Sequence, residues 1–171
     1  MRRISCVIPA ILLAVVVTLG TSTTVFAQET INIGDTVLSA KGNSPKTYTV
    51  NVSAGTILSL LLESGAFDAI VSIQDADGIE LGRNDDGGGG TNALLVLMLP
   101  KDEMVSIIVD SWNGAGGDFT LSVTEAPTTP LVYDTMTEMW FENENVKVFT
   151  FEGQAGDVVN IFAVSDSATL D

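Results

Sequence analysis

The sequence contains no histidine, and its only cysteine is the sixth residue. The Ser-His-Asp and Cys-His arrangements of many hydrolases therefore cannot be assembled, and zinc sites of the common His/Cys type are excluded for the same reason. A single cysteine cannot form an internal disulfide. A folded domain in this chain must therefore be stabilised by its hydrophobic core.

Basic residues are also scarce: seven Lys and Arg face 22 Asp and Glu, which gives a formal net charge of −15. Without a basic patch to displace counterions from phosphates, a nucleic-acid partner is not expected. The same charge disfavours anionic membrane surfaces. It suits a soluble extracellular protein or one with sites for divalent cations, and solubility is the simpler explanation.

The N-terminus has the three parts of a secretory signal. Arg2 and Arg3 are followed by an apolar run from Ile4 to Leu19, and small residues precede a predicted cleavage after Ala27. The alternative is a retained membrane anchor, but the run of about 16 residues is shorter than the roughly 20 that span a bilayer. Cleavage of residues 1–27 leaves 144 residues (171 − 27) with a net charge of −17 (−15 − 2). We expect a secreted or cell-surface protein that does not remain inserted in a membrane.

The rest of the chain alternates between apolar and polar residues, as in Tyr48, Val50 and Val52, and has Gly-rich turns at short intervals. No stretch after the signal sustains a helical period. This pattern predicts an all-β sandwich or barrel. The expected core residues are Val52, Leu58, Leu60, Val71, Ile73, Ile107, Val109, Phe119, Leu121 and Val123.

The chain also begins to repeat itself about a hundred residues later, which is a mark of tandem folding units. Gly34–Val37, Tyr48–Val50 and Ala54–Leu60 recur as Tyr133–Met136, Phe149–Phe151 and Ala155–Ile161. We predict one complete domain at 28–126, a Pro/Thr linker at 127–131 and a partial second repeat at 132–171. Either the chain is a fragment of a longer protein, which we favour, or the partial copy borrows a partner to cover its apolar face.

Residues 46–125 contain an ordered set of short motifs, namely Tyr48, Ala54-Gly55, Leu58, Leu60, Asp68, Asp77-Gly78, Asn84-Asp85-Asp86, and the pair of predicted strands at 105–109 and 118–123. In the order and spacing of these motifs the chain resembles the bacterial pre-peptidase C-terminal domain. The resemblance implies a jelly-roll-like antiparallel β-sandwich with an accessory binding role rather than catalysis. Such a domain usually follows a catalytic domain, whereas here it directly follows the signal.

Calcium is the main chemical hypothesis, because hard cations take six to eight oxygen ligands from acidic loops. The candidate ligands are Asp68, Asp75, Asp77, Asn84, Asp85 and Asp86, with Asp110 and Asp118 as outer possibilities. We expect the ends and turns that carry them to converge at one edge of the sandwich. The alternative is that these residues cap turns, and that Asp68 binds backbone amides at the start of a strand.

Neither acid/base catalysis nor a specific ligand is indicated by the remaining motifs. Asp85 and Asp86 are adjacent in a Gly-rich loop, with no apolar wall to raise either pKa. Trp112 could contact a sugar or peptide, but closing the end of the core is the favoured interpretation. We therefore predict a non-catalytic binding or spacer module whose partner is an extracellular protein or polysaccharide. The alternatives are an accessory domain of a secreted peptidase and a structural repeat of a surface adhesin.

Overall fold

The structure, a computed structural model, describes residues 28–141 and 146–164. The predicted signal at 1–27 lies outside the described residues, as do the last residues of the predicted second repeat. The strands are β1 (Glu29–Thr30), β2 (Thr36–Lys41), β3 (Lys46–Val52), β4 (Ile57–Glu63), β5 (Ala69–Gln74), β6 (Glu80–Asn84), β7 (Ala93–Met98), β8 (Glu103–Ser111), β9 (Gly117–Glu125), β10 (Thr128–Leu131) and β11 (Val148–Phe151).

Two sheets form a sandwich, as the sequence predicted. One sheet has the order β1-β3-β8-β5-β6 and the other the order β2-β9-β4-β7. Neighbouring strands are antiparallel except for β1, which runs parallel to β3. The described residues contain no helix, and none therefore is long and apolar enough to cross a bilayer. The all-β fold class is confirmed.

Alternation along each strand places aliphatic side chains between the sheets. In β8, Val105, Ile107 and Val109 are fully buried, while the residues between them face away from the core. Burying an aliphatic side chain of this size contributes about 1.5–3 kcal/mol. All ten core residues expected from the sequence are buried, which confirms that prediction.

The strand directions give the sandwich two ends, which we call the Trp112 end and the Lys101 end. The β2–β3, β4–β5, β6–β7 and β8–β9 connections lie at the Trp112 end. The β3–β4, β5–β6 and β7–β8 connections lie at the Lys101 end, where the chain also leaves β9. This assignment decides which loop residues can meet.

The chain then forms a separate small sheet in which β10 pairs with β11 in parallel. Residues 128–131, which the sequence predicted as linker, are thus a paired strand. An edge strand tolerates Pro130, because one side of its backbone needs no partner. Most of the expected linker at 127–131 is therefore a paired strand rather than an unpaired connection.

Candidate binding surface at the Trp112 end

The six predicted calcium ligands do not converge. Asp68 precedes β5 and Asp75 follows it, so six residues of extended strand separate them. At about 3.3 Å per residue, that strand holds them roughly 20 Å apart. The expected convergence at one edge is therefore wrong, because a strand carries the residues at its two ends to opposite ends of the sandwich.

Asp75 and Asp77 lie together at the Lys101 end, and Asp75 is a turn-capping residue. Its Oδ1 accepts hydrogen bonds from the backbone N–H of Asp77 at 3.0 Å and of Ile79 at 2.8 Å. Gly78 completes the turn with a φ of +80°. For Asp75 the alternative interpretation, a turn cap, is confirmed.

Asn84, Asp85 and Asp86 begin a tight loop at the Trp112 end. Asn84 Oδ1 accepts a hydrogen bond of 2.7 Å from the N–H of Gly87. A Cβ at Gly87 would lie only 2.7 Å from the carbonyl oxygen of Leu94, so the close approach requires glycine. The glycine at position 87 therefore allows the loop to form a compact turn.

Asp68 lies at the same end and has an unusual carboxylate. Its Oδ1 is buried and accepts no hydrogen bond from the described residues. Its backbone carbonyl accepts from the N–H of Trp112 at 3.1 Å, and the next residue, Ala69, donates to Thr91 O at 2.9 Å. The backbones of Asp68 and Ala69 thus connect their loop to those of Trp112 and Thr91. Among residues 28–141 and 146–164, no group of three or more acidic side chains is arranged to hold a metal ion.

A buried lysine, which was not among the residues expected from the sequence, is the main electrostatic feature of this end. Lys41 Nζ is fully buried, and it donates to Ala115 O at 2.8 Å and to Ser111 Oγ and Gly42 O at 3.2 Å. Asp110 Oδ1, an outer calcium candidate, lies 3.7 Å from this ammonium group. The alternation in β2 could have indicated this burial, because Lys41 lies an even number of residues after the inward-facing Val37 and is therefore on the same face of the strand.

Trp112 does not close the core, so that expectation is wrong. The side chain of Ser111 points inward, and the next residue therefore faces outward, with 71% of Trp112 exposed. Phe67 closes this end instead: it packs edge-on against Phe119 at 6.4 Å, and the Lys41 ammonium lies 5.3 Å from its ring centre.

An open groove of about 990 Å³ crosses the same end. It is shallow, and its charged lining residues, Glu63 and Asp118, are both acidic. The lining residues are Leu38, Ser39, Ala40, Glu63, Ser64, Gly65, Gly89, Gly90, Thr91, Asn92, Asp118, Phe119 and Thr120.

Comparison with solved structures gives the fold. The chain is similar to the pre-peptidase C-terminal domain of collagenase from Bacillus anthracis, with a TM-score of 0.50, 14% identity, and 57% of this chain and 94% of that chain covered. It also matches PliG of Aeromonas hydrophila, a periplasmic inhibitor of g-type lysozyme, with a TM-score of 0.41, 18% identity, and 57% and 98% coverage. Comparison with family models and with curated proteins gives no match. The resemblance predicted from the sequence is confirmed at the level of the fold.

Proposed function

We propose that this chain is a non-catalytic binding module of an exported bacterial protein, and that the Trp112 end contacts an extracellular protein or polysaccharide. The observation that carries the proposal is the exposure of Trp112 on a loop that is held in place. A large aromatic side chain in that setting supplies contact area with little conformational entropy left to lose on binding.

The loop is fixed on both sides of the aromatic ring. The Trp112 N–H donates to Asp68 O, and Ser111 Oγ donates to Ala115 O at 2.8 Å. Asn113 Oδ1 accepts a hydrogen bond of 3.1 Å from the Ala115 N–H. The Lys41 ammonium also donates a hydrogen bond to Ala115 O. These bonds hold the position of Trp112 before any partner arrives.

The assignment to an exported protein is supported by the signal-like N-terminus and by the acidic composition. The lack of histidine supports a role without nucleophilic catalysis. An accessory domain of a secreted peptidase and a structural repeat of a surface adhesin are the alternatives. Downstream sequence with a catalytic signature would favour the first, and further copies at the same period would favour the second.

The binding proposal is tested with insoluble polysaccharides (cellulose, chitin and peptidoglycan) and with an immobilised extracellular protein mixture. We expect a retained fraction of the wild-type chain on one of these supports, and loss of retention for Trp112→Ala. Trp140→Ala is the matched control, because Trp140 is 79% exposed but lies after β10. Equal retention of the Trp112→Ala and wild-type chains would contradict the proposal.

Calcium binding is a second proposal, supported by the buried Asp68 Oδ1 and by its position at the same end as Asp85 and Asp86. We expect millimolar calcium to raise the melting temperature relative to chelator, and the double variant Asp85→Ala, Asp86→Ala to lose that rise. The variant Asp77→Ala, at the opposite end, should keep it. Identical melting temperatures of the wild-type chain in calcium and in chelator would rule the proposal out.

A further inference from the structure

The loop that carries Trp112 also contains Asn113-Gly114, the only Asn-Gly pair in the sequence. Asn113 is exposed, and Gly114 has a φ of +70°. The side-chain amide of an asparagine can be attacked by the backbone nitrogen of the next residue. Glycine leaves that nitrogen unhindered, because it has no Cβ. The pair thus places the two groups of a spontaneous intramolecular reaction next to each other and in contact with water.

The hydrogen bonds of the loop favour this reaction. Asn113 Oδ1 accepts a hydrogen bond of 3.1 Å from the Ala115 N–H, which turns the carboxamide towards the intervening Gly114 peptide and polarises its carbonyl. The Gly114 N–H donates to Ser111 O at 3.3 Å, longer than the roughly 2.7–3.2 Å that is typical of such bonds, so this bond protects the nitrogen only weakly. Holding two reacting groups side by side lowers the entropic barrier to their reaction.

We propose that Asn113 is a site of spontaneous deamidation. The Gly114 nitrogen forms a bond to Asn113 Cγ, its proton passes to the departing Nδ2 group, and the Cγ–Nδ2 bond breaks. Ammonia leaves, and the backbone is closed into a succinimide ring. Water then opens the ring at either of its carbonyl carbons and gives aspartate or isoaspartate. Water is the only co-reactant, and no oxidation or reduction takes place.

The isoaspartate product changes the loop, because it lengthens the backbone by a methylene group between Ser111 and Ala115. Those two residues are tied together, since Ser111 Oγ donates to Ala115 O at 2.8 Å. The Lys41 ammonium holds the same carbonyl oxygen at 2.8 Å. A longer backbone between fixed ends displaces Trp112. An effect on partner binding rests on the proposed function of Trp112, whereas the chemical conversion does not.

Other asparagines of the chain provide internal comparisons. Asn43 is also exposed and lies in the β2–β3 loop at the same end, but Ser44 follows it, and the serine Cβ hinders the backbone nitrogen. Asn92 Oδ1 accepts a hydrogen bond of 3.1 Å from the Ser64 N–H in another loop, which turns its carboxamide away from its own backbone. We therefore expect Asn113 to convert before either of them.

The test incubates the mature chain (28–171) in mildly alkaline buffer and follows residue 113 by peptide mapping and mass spectrometry. We expect replacement of the amide NH2 by OH, with uptake of the isotope when the buffer is made with heavy-oxygen water. Conversion at Asn43 should be at least about tenfold slower. Asn113→Gln, which would have to close a larger ring, and Gly114→Ala should each slow conversion at residue 113 at least about tenfold.

A synthetic peptide with the sequence of residues 110–117 shows whether the fold permits the reaction. We expect the folded chain to convert at a rate within about tenfold of the peptide. Conversion of the peptide without conversion of the folded chain would overturn the proposal, and so would faster conversion at Asn43 than at Asn113. Neither readout requires a partner, so a failure here is distinguishable from a failure of the Trp112→Ala retention experiment.

Amide hydrogen exchange tests the effect on the loop. The Trp112 N–H is bonded to Asp68 O at 3.1 Å, and in the isoaspartate product we expect it to exchange at least about tenfold faster. Asn113→Asp is the matched control, because it has the charge of the product without the longer backbone, and its Trp112 N–H should exchange as in the wild-type chain. Unchanged exchange in the purified isoaspartate product would overturn the proposed displacement of Trp112.

Discussion

The sandwich (28–126) and the described residues that follow it (127–141 and 146–164) share two local features but differ in how their apolar side chains are buried. Each has a parallel strand pair and a glycine turn with positive φ. In the sandwich the residues after the turn are buried against a second sheet, whereas in the residues that follow it they are exposed. Strand pairing and turns can thus form from short stretches of the sequence. Burial of apolar side chains, which offsets the entropy lost when the chain is ordered, requires a second sheet to pack against.

The largest expected difference is between truncations at equivalent positions. Leu60→Ala removes a fully buried side chain and should lower the free energy of unfolding by about 2–5 kcal/mol. Ile161→Ala acts on a side chain that is 67% exposed and should change it by less than about 0.5 kcal/mol. Urea denaturation followed by circular dichroism measures both. Similar losses of unfolding free energy for the two variants would show that the residues around Ile161 are buried in solution, contrary to this prediction.

The next effect concerns Lys41, whose ammonium group is fully buried at the Trp112 end of the sandwich. Lys41→Met removes the donor that binds the carbonyl oxygens of Ala115 and Gly42. Ala115 O keeps its hydrogen bond from Ser111 Oγ, and the loss of the bonds donated by the buried ammonium should cost about 1–3 kcal/mol. Arg83→Met, at an exposed position, is the control. If both variants unfold at the same urea concentration, the buried ammonium does not stabilise the Trp112 end.

A smaller effect is expected at the two turn glycines. An added Cβ at Gly55 or Gly156 meets no atom within 4 Å, so the cost of alanine comes from the positive φ alone. Gly55→Ala should lower the stability of the sandwich by about 1 kcal/mol. Gly156→Ala should leave the main unfolding transition unchanged, because its turn lies outside the sandwich. Equal shifts in the midpoint of thermal unfolding would mean that the two parts unfold together.

The smallest effect is the pH dependence of an ion pair at the Lys101 end. Glu103 raises the pKa of Lys101 above 10.5, mainly through a hydrogen bond and then through charge, with Nζ 3.1 Å from Oε2. A lysine whose pKa is higher in the folded state stabilises it below the unfolded pKa and loses that contribution as pH rises through the folded value. The melting temperature of the wild-type chain should therefore fall slightly more than that of Lys101→Met above about pH 10.5. Parallel curves for the two proteins would contradict this prediction.

The core residues and the strands could be predicted because successive side chains of a strand alternate between its two faces. Val105, Ile107 and Val109 alternate with less apolar positions, and a strand has only two faces on which to place them. The repeat of the Ala-Gly turn could be predicted in the same way, since a positive φ is a local property. These features need no knowledge of which strands become neighbours.

The candidate site was predicted less well, because it depends on strand direction. Asp68 and Asp75 are close in the sequence, yet β5 carries them to opposite ends of the sandwich. Trp112 follows the inward-facing Ser111, so its exposure depends on the residue at which β8 stops. The burial of Lys41 depends on Ala115 and Ser111, which are more than 60 residues away in the chain.

The acidic composition, the lack of histidine, the all-β class, the periodic core and the recurring Ala-Gly turn could all be recognised from the amino-acid sequence alone. Composition, alternation and turn residues are local properties, and local physical chemistry was enough to read them. Four features required the arrangement of the strands in space: the exposure of Trp112, the burial of Lys41, the division of the acidic loops between two ends, and the pairing of β11 with β10. Each of these depends on which distant strands become neighbours, and that order is set by how two whole sheets bury their apolar faces against each other.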